Sequence, residues 1–403
     1  MKKFQNSWRN KIISFFVSQS ITLFGSQVVQ MAIVWYVTLQ TSSGSWIAAF
    51  SICSYLPQFL VTFPGGAWAD RYDRKLLIIG ADAGIAVITL GMFLLIPQIS
   101  ERDTLLRALL AMSGLRSIGA GIQFPAVNAV IPQIVPKESL MRYNSINAVL
   151  QSTVQFLSPA AAGVILTMGT LRFALLIDVF TAIIGIGIFG HILLPQKEEK
   201  IPSDSVYSDI REGIRYAFSR KMTGSLLMSY GIFTFLCVPA GYFSGLFVSR
   251  VYGGTYWYLT LTEVWGFGGM TAGGILMSIL GNSCSGLKKR RNILFAGFIV
   301  FGIMSAGMGI VKSFAFYLIF MGIYGVALTT VQTTITTLIQ EYTKSSIQGR
   351  ILGFMGAMYA VCYPVGMAVF GLMADRILLQ WIMIGSGIVL ILVPVFLLKS
   401  FKS

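Results

Sequence analysis

Gly66-Ala67-Trp68-Ala69-Asp70-Arg71-Tyr72-Asp73-Arg74-Lys75 is the stretch on which the fold turns. It sets five charges between two apolar runs, 46–68 and 77–97. Each run has about 20 residues, which as a helix rising 1.5 Å per residue crosses the ~30 Å hydrocarbon layer of a bilayer. The segment therefore reads as the turn of a membrane hairpin, with its charges in water. Gly65 and Gly66 allow close approach to a neighbouring helix, as small residues do in lipid. Asp70 can pair with Arg74 or with the N-terminus of another helix. Gly66, Asp70, Arg71 and Arg74 are accordingly expected to form a conformational latch.

The same alternation fills the chain. Apolar runs cover roughly 13–39, 46–68, 77–97, 104–127, 146–168, 172–194, 224–249, 257–280, 293–311, 314–336, 351–373 and 380–398. Of the 403 residues, 55% are hydrophobic and 11% charged, with mean hydropathy +0.75. A soluble domain carries about 25% charged residues, so a water-facing surface is excluded, as are disordered, collagen-like and coiled-coil classes. The reading is an all-α polytopic membrane protein of twelve transmembrane helices. The first run follows Lys2, Lys3, Arg9 and Lys11 like a signal peptide, but it is too long and no small-residue cleavage site follows. It is read as a retained first helix.

Charge sets orientation and domain layout. Assigning loops to alternate sides puts 23 Lys and Arg on the side of the N-terminus and six on the other, with Arg116 inside a span. The positive-inside rule then makes both termini cytoplasmic. The net charge of +15 needs no nucleic acid to explain it. The longest polar break gives an N-terminal six-helix half over 1–195, a cytoplasmic linker over 196–222 and a C-terminal six-helix half over 223–403. Within the linker, Ile210, Ile214, Ala217 and Phe218 share a helical face opposite basic residues, as in a helix lying on a membrane surface. Lys288-Lys289-Arg290-Arg291 reads as a topology anchor. His191 stands alone, and Cys53, Cys237, Cys284 and Cys362 have no metal-ligand spacing, so neither an enzyme nor a metal site is expected. No extramembrane domain suggests a receptor.

The halves echo each other. Ala69-Asp70-Arg71, ending the second run, recurs as Ala374-Asp375-Arg376 after the eleventh, and Pro159 and Pro364 stand in corresponding helices. Such echoes fit parallel halves built of inverted three-helix units. With this layout, Gly66 to Lys75 resembles the helix 2–3 signature of the major facilitator superfamily, G-x-x-x-D-R-x-G-R-K, with Asp73 in place of its second glycine. Gln30-Met-Ala-Ile, Arg116-Ser-Ile-Gly, Pro125-Ala-Val-Asn-Ala, Ile177-Asp178-Val and Thr262-Glu263-Val resemble the macrolide-efflux branch of drug:proton antiporters, which also holds siderophore exporters. The resemblance implies alternating access in a plasma membrane, with a proton gradient as energy source and no cofactor. Arg116 resembles the helix-four arginine of the superfamily, although Gly119 and Gly121 depart from its register. Ser158-Pro159-Ala-Ala-Ala-Gly163 keeps only part of the helix-five antiporter pattern, with Val154 and Ser158 in place of two glycines.

Ionisable side chains inside a bilayer are functional candidates by default. Asp82, Arg116, Asp178 and Glu263 qualify. Asp82 stands two turns beyond Lys75, within reach of that charged loop. Arg116 falls near mid-membrane, and Asp178 and Glu263 lie at similar depth in different halves. Asp178 and Glu263 are therefore expected to accept protons, with Arg116 tuning them; a structural ion pair or hydrogen-bonded carboxylate is the alternative for each. Asn144, Asn147, Gln151, Gln155 and Ser158 share one face of helix five, which must meet protein or water. Together with Gln27, Gln30, Trp35, Phe233 and Thr333, residues Asn147, Gln151 and Gln155 are expected to line a substrate cavity. Neutral polar groups among aromatics suit a bulky amphipathic small molecule exported by a monomer embedded in lipid. A siderophore or lipid-like metabolite is the alternative cargo, and a non-transporting membrane enzyme or receptor the remote alternative.

Overall fold

The structure, a computed structural model, describes residues 2–136, 139–194, 221–281, 286–343 and 345–401. The proposed surface helix of the linker, 208–218, lies outside the described residues, as does Cys284. Six long helices form the first half: α1 (Lys2–Thr41), α2 (Gly44–Arg71), α3 (Arg74–Leu95), α4 (Arg102–Ile134), α5 (Leu140–Met168) and α6 (Leu171–Gly190). In the second half, α7 (Lys221–Leu236), α8 (Val238–Gly241) and α9 (Ser244–Val251) follow end to end. Pro239 at the start of α8 lacks an amide hydrogen, and a break there is its expected effect. Then come α10 (Tyr256–Gly281), α11 (Leu287–Ile310), α12 (Phe314–Tyr342), α13 (Ser345–Ala374) and α14 (Leu379–Phe401). Among the described residues eleven stretches are long and apolar enough to cross a bilayer, the broken α7–α9 counting once, and α10 with 26 residues supplies the twelfth.

The chain divides into two compact units, one comprising Met1–Gln40 with Ala49–Ile201, the other Thr41–Ala48 with Pro202–Ser403. The turn joining α1 to α2, with the first residues of α2, thus groups with the second unit. In the first unit, α3 packs on α4 and α6. Gly65 faces α4 so closely that a Cβ there would lie 2.7 Å from the Gly121 carbonyl oxygen, whereas Gly66 faces open space. The close approach expected of both glycines belongs to Gly65 alone. At the charged turn, Asp73 caps α3 by accepting from the Lys75 amide at 2.8 Å, which accounts for an aspartate where the superfamily signature has glycine.

The second unit has aromatic rings packed in its core. Phe233 is fully buried and packs edge-on against Phe298 and Phe301, with ring centroids 5.6 and 4.8 Å away. It is a core residue, and the expectation that it lines a cavity is corrected: three rings occupy that space. Gly302 of α11 lies against Gly387 of α14, leaving 2.5 Å between a would-be Cβ and the Gly387 oxygen.

Candidate functional site

Four helices of the first unit converge on one carboxylate. Asp178 of α6 is 1% exposed. It accepts hydrogen bonds from Ser26 Oγ of α1 at 3.1 Å and Thr89 Oγ1 of α3 at 3.0 Å, and it forms an ion pair with Arg116 Nη1 of α4. Arg116 Nη1 also donates to Thr89 Oγ1. The charge of the guanidinium is thus met by a carboxylate inside the membrane-spanning region, the condition under which such a group is tolerated. Asp178 and Arg116, expected from sequence as a proton acceptor and the residue tuning it, meet here as an ion pair.

A second buried carboxylate lies one rung away. Asp82 of α3, 6% exposed, accepts from Gln123 Nε2 of α4 at 2.5 Å. Stepping seven residues along α3 from Asp82 reaches Thr89, and stepping back seven along α4 from Gln123 reaches Arg116. Seven residues is nearly two full turns, so the two pairs are successive rungs of an antiparallel helix pair. The expected pairing of Asp82 with the charged loop is not found. Lys75 Nζ instead donates to the carbonyls of Gly190 and Ile192, at 2.6 and 3.0 Å, closing the end of α6.

The rungs border a cavity of about 300 Å³ lying wholly within the first unit. Its polar lining is mainly carboxamide: Gln27 and Gln30 of α1, and Asn147, Gln151 and Gln155 of α5, as sequence predicted, and also Gln19, Gln58 and Gln123. Arg116 joins the lining, with Phe50, Tyr55 and Phe124 as aromatic wall. The Nε2 atom of Gln19 is buried with no hydrogen-bond partner among the described residues. Of the remaining expected lining residues, Trp35 is buried, 3% exposed, and outside the cavity wall. Thr333 is an exposed residue of α12 in the second unit. Gln58 and Gln123 each sit among apolar neighbours rather than in a visible stripe, so the sequence does not single them out; the seven-residue step from Arg116 is the signal that points to Gln123.

Glu263 stands apart. Half-buried on α10, it has no hydrogen bond or ion pair among the described residues. At the charged turn, Asp70 is 73% exposed in its side chain and lies 3.6 Å from Arg74. Arg71 is exposed. Arg74 itself donates to the carbonyls of Ala69 at 2.9 Å and Ala129 at 2.7 Å, binding the ends of α2 and α4 together. Gly66, Asp70, Arg71 and Arg74 are thus adjacent, but among the described residues Arg74 alone of the four bonds beyond the turn.

Among the described residues no group of three or more His, Cys, Asp and Glu could hold a metal ion. The arrangement can enclose a small molecule by shape and by amide hydrogen bonds, around a guanidinium already neutralised.

Comparison with known proteins agrees. The chain is 27% identical over 399 residues to macrolide efflux protein A of Streptococcus pyogenes, covering 98% of this chain and 96% of that one. It is 22% identical to the enterobactin exporter of Citrobacter koseri over 88% of this chain and 83% of that protein. The fold matches that of a bacterial homologue of the human lysosomal transporter Spinster with a TM-score of 0.69 at 12% identity, over 98% and 97% of the two chains. These likenesses fit a multi-pass plasma-membrane protein that moves small molecules and not an enzyme. The profile of the transmembrane secretion effector family matches residues 7–402, and the chain belongs to that family of major facilitator efflux transporters.

Proposed function

We propose that this protein exports bulky amphipathic small molecules of the macrolide type, driven by the proton gradient through alternating access and without a cofactor. The observation that carries the reading is the carboxamide-lined cavity around a charge-balanced Arg116–Asp178 pair. Eight Gln and Asn side chains offer donors and acceptors to hydroxyl, carbonyl and amine groups, and the aromatic wall accepts an apolar ring. The likeness to macrolide efflux protein A supports the same choice.

Coupling to protons requires a carboxylate that is free of a countercharge when the proton arrives. Glu263, lacking an ion-pair partner, meets this in the second unit. Asp178 meets it only when Arg116 withdraws, so the pair is a tuned unit in which Arg116 governs Asp178. Protonation on the outside and release on the inside would exchange protons for cargo. The protein works as a monomer in lipid, its partners being cargo and protons.

The likeness to an enterobactin exporter favours a second reading, export of a siderophore. Against a polyanionic cargo stands the cavity's single guanidinium, already committed to Asp178. Drug accumulation in susceptible cells tests both. Cells producing the protein should hold less macrolide than cells lacking it, and a protonophore should erase the difference. Equal accumulation at proven expression would reject the macrolide reading, and reduced siderophore secretion on deleting the gene would replace it.

A further inference from the structure

We infer that, while Asp178 is held by Arg116, Asp82 carries an exchangeable proton in the first unit and reports it to the cavity through Gln123. This rests on the export reading above and assigns a residue to it. The two rungs between α3 and α4 differ in one respect. Asp178 has a guanidinium and two hydroxyls as partners. Asp82 is almost equally buried but has one neutral partner, the Gln123 amide.

Among the described residues no cation reaches Asp82 as a partner. Of the two helices packed on α3, α4 carries Arg116 and α6 carries Asp178, and these are bonded to each other. Arg102, Arg107 and Arg172 stand toward the opposite ends of those helices, Arg172 lying over the Phe93 ring at 4.4 Å. Lys75, on the helix of Asp82 itself, is taken by the carbonyls of Gly190 and Ile192. A carboxylate anion buried with a single neutral donor is costly, and a proton removes that cost. Asp178 gains nothing comparable, because its charge is already met.

Gln123 connects this site to the cargo, since it both lines the cavity and holds Asp82. With Asp82 anionic, the Gln123 Nε2 hydrogen points at the carboxylate, leaving Oε1 as the acceptor available to the cavity. When a proton from water joins a carboxylate oxygen, Asp82 becomes the donor. The amide then turns, Oε1 accepts the new O–H and Nε2 faces the cavity. A cargo donor, ammonium or hydroxyl, loses its acceptor and meets a donor instead. Proton and cargo thereby exclude one another, which is what an exporter driven by inward proton flow requires. On release the O–H bond breaks, the proton returns to water and the amide turns back.

Infrared difference spectroscopy on the purified full chain in lipid vesicles tests this, in a Glu263→Gln background that removes the other carboxylate within a membrane-spanning stretch that has no ion pair among the described residues. Acidification should raise a protonated-carboxyl C=O band that is absent in Asp82→Asn and kept in Asp178→Asn. Persistence of the band in a folded Asp82→Asn protein, or its loss in Asp178→Asn alone, overturns the assignment. Should Asp82→Asn fail to fold, Gln123→Leu decides: the band must shift to higher frequency, since the carboxyl has lost its amide partner, and an unmoved band counts against Asp82. A tertiary-amine macrolide added to the background protein should abolish the band, and should leave it intact in Gln123→Leu. A band that follows Asp82 yet ignores the macrolide rejects the macrolide reading while leaving the proton on Asp82.

Discussion

Two copies of the tripeptide Ala-Asp-Arg end two helices and do different work. At α2 the carboxylate of Asp70 faces water, 3.6 Å from Arg74. After α13 the carboxylate of Asp375 caps the N-terminus of α2, accepting from the amides of Gly44 at 2.6 Å and Ser45 at 2.9 Å and from Ser43 Oγ at 2.9 Å. The two aspartates therefore sit at opposite ends of the same helix, one disengaged and one bound. Arg250 completes the second site by donating to the Ser42 carbonyl and to that of Ala374. It thereby holds Ser42 in the left-handed conformation at φ 46°, a region costly to a residue with a Cβ. The same three residues become a fastening only where unsatisfied backbone amides stand opposite them. All of these partners belong to the second unit, although Ser42 to Ser45 join α1 and α2.

The harshest way to break this contrast is to push the fastened parts apart. Gly371 of α13 lies so near the first turn of α2 that a Cβ would stand 2.7 Å from the Gly44 oxygen and 2.6 Å from the Ala48 Cβ. Leucine cannot fit there without moving backbone. Gly371→Leu should destabilise the protein by about 3 kcal/mol, the upper range for overpacking, as a lowered thermal unfolding midpoint in detergent. The same change at Gly66, which faces open space, should leave the midpoint unmoved. Equal effects at the two glycines would mean that the close approach is not what holds Asp375 to α2.

Removing the cap itself should cost less. Asp375→Ala leaves two amides and a hydroxyl without their acceptor and is expected to lower stability by about 1–2 kcal/mol, as for other lost helix caps. Asp375→Asn keeps an acceptor and should fall between. A midpoint unchanged in Asp375→Ala would make the site incidental and the contrast with Asp70 empty.

Acid sharpens the comparison further. Burial acts to raise the Asp375 carboxyl, but the hydrogen bonds from Ser45, Gly44 and Ser43 outweigh it and hold it below the ordinary carboxylate range. A group depressed on folding stabilises the native state fully above its unfolded value, about 3.9 for aspartate, and that contribution fades as pH falls through the lower folded value. Stability attributable to Asp375, the difference in midpoint between wild type and Asp375→Ala, should therefore be constant from pH 7 to pH 5 and shrink only below about 4. A difference already shrinking near neutral pH would show that the carboxylate is not held in this way.

These contrasts mark how far residues alone carried the structure. Helix number and length were legible because a bilayer makes each crossing about 20 apolar residues, and the polar face of α5 was legible because its amides repeat at helical spacing. The Asp82–Gln123 rung was not, since it depends on the register between two antiparallel helices and neither residue stands in a motif. Phe233 was misplaced for the converse reason: aromatic residues in a membrane helix look alike whether they face cargo or other rings. The repeat of Ala-Asp-Arg was visible, but which copy is fastened depends on what stands opposite, and that is a fact of packing.

The smallest expected effect is at Asp70. An exposed pair at i and i+4 contributes about 0.3–0.5 kcal/mol, and Arg74 keeps its bonds to the Ala69 and Ala129 carbonyls when Asp70 is gone. Asp70→Ala should therefore leave the unfolding midpoint within about 0.5 kcal/mol of wild type. Arg74→Ala, which unties the ends of α2 and α4, should lower it more. If Asp70 fastens to a helix N-terminus in another state of the transport cycle, as Asp375 does here, then Asp70→Ala must slow drug export in cells while stability stays put. Export at the wild-type rate in Asp70→Ala would deny Asp70 that part and leave Asp375 as the only one of the two tripeptides that works as a fastening.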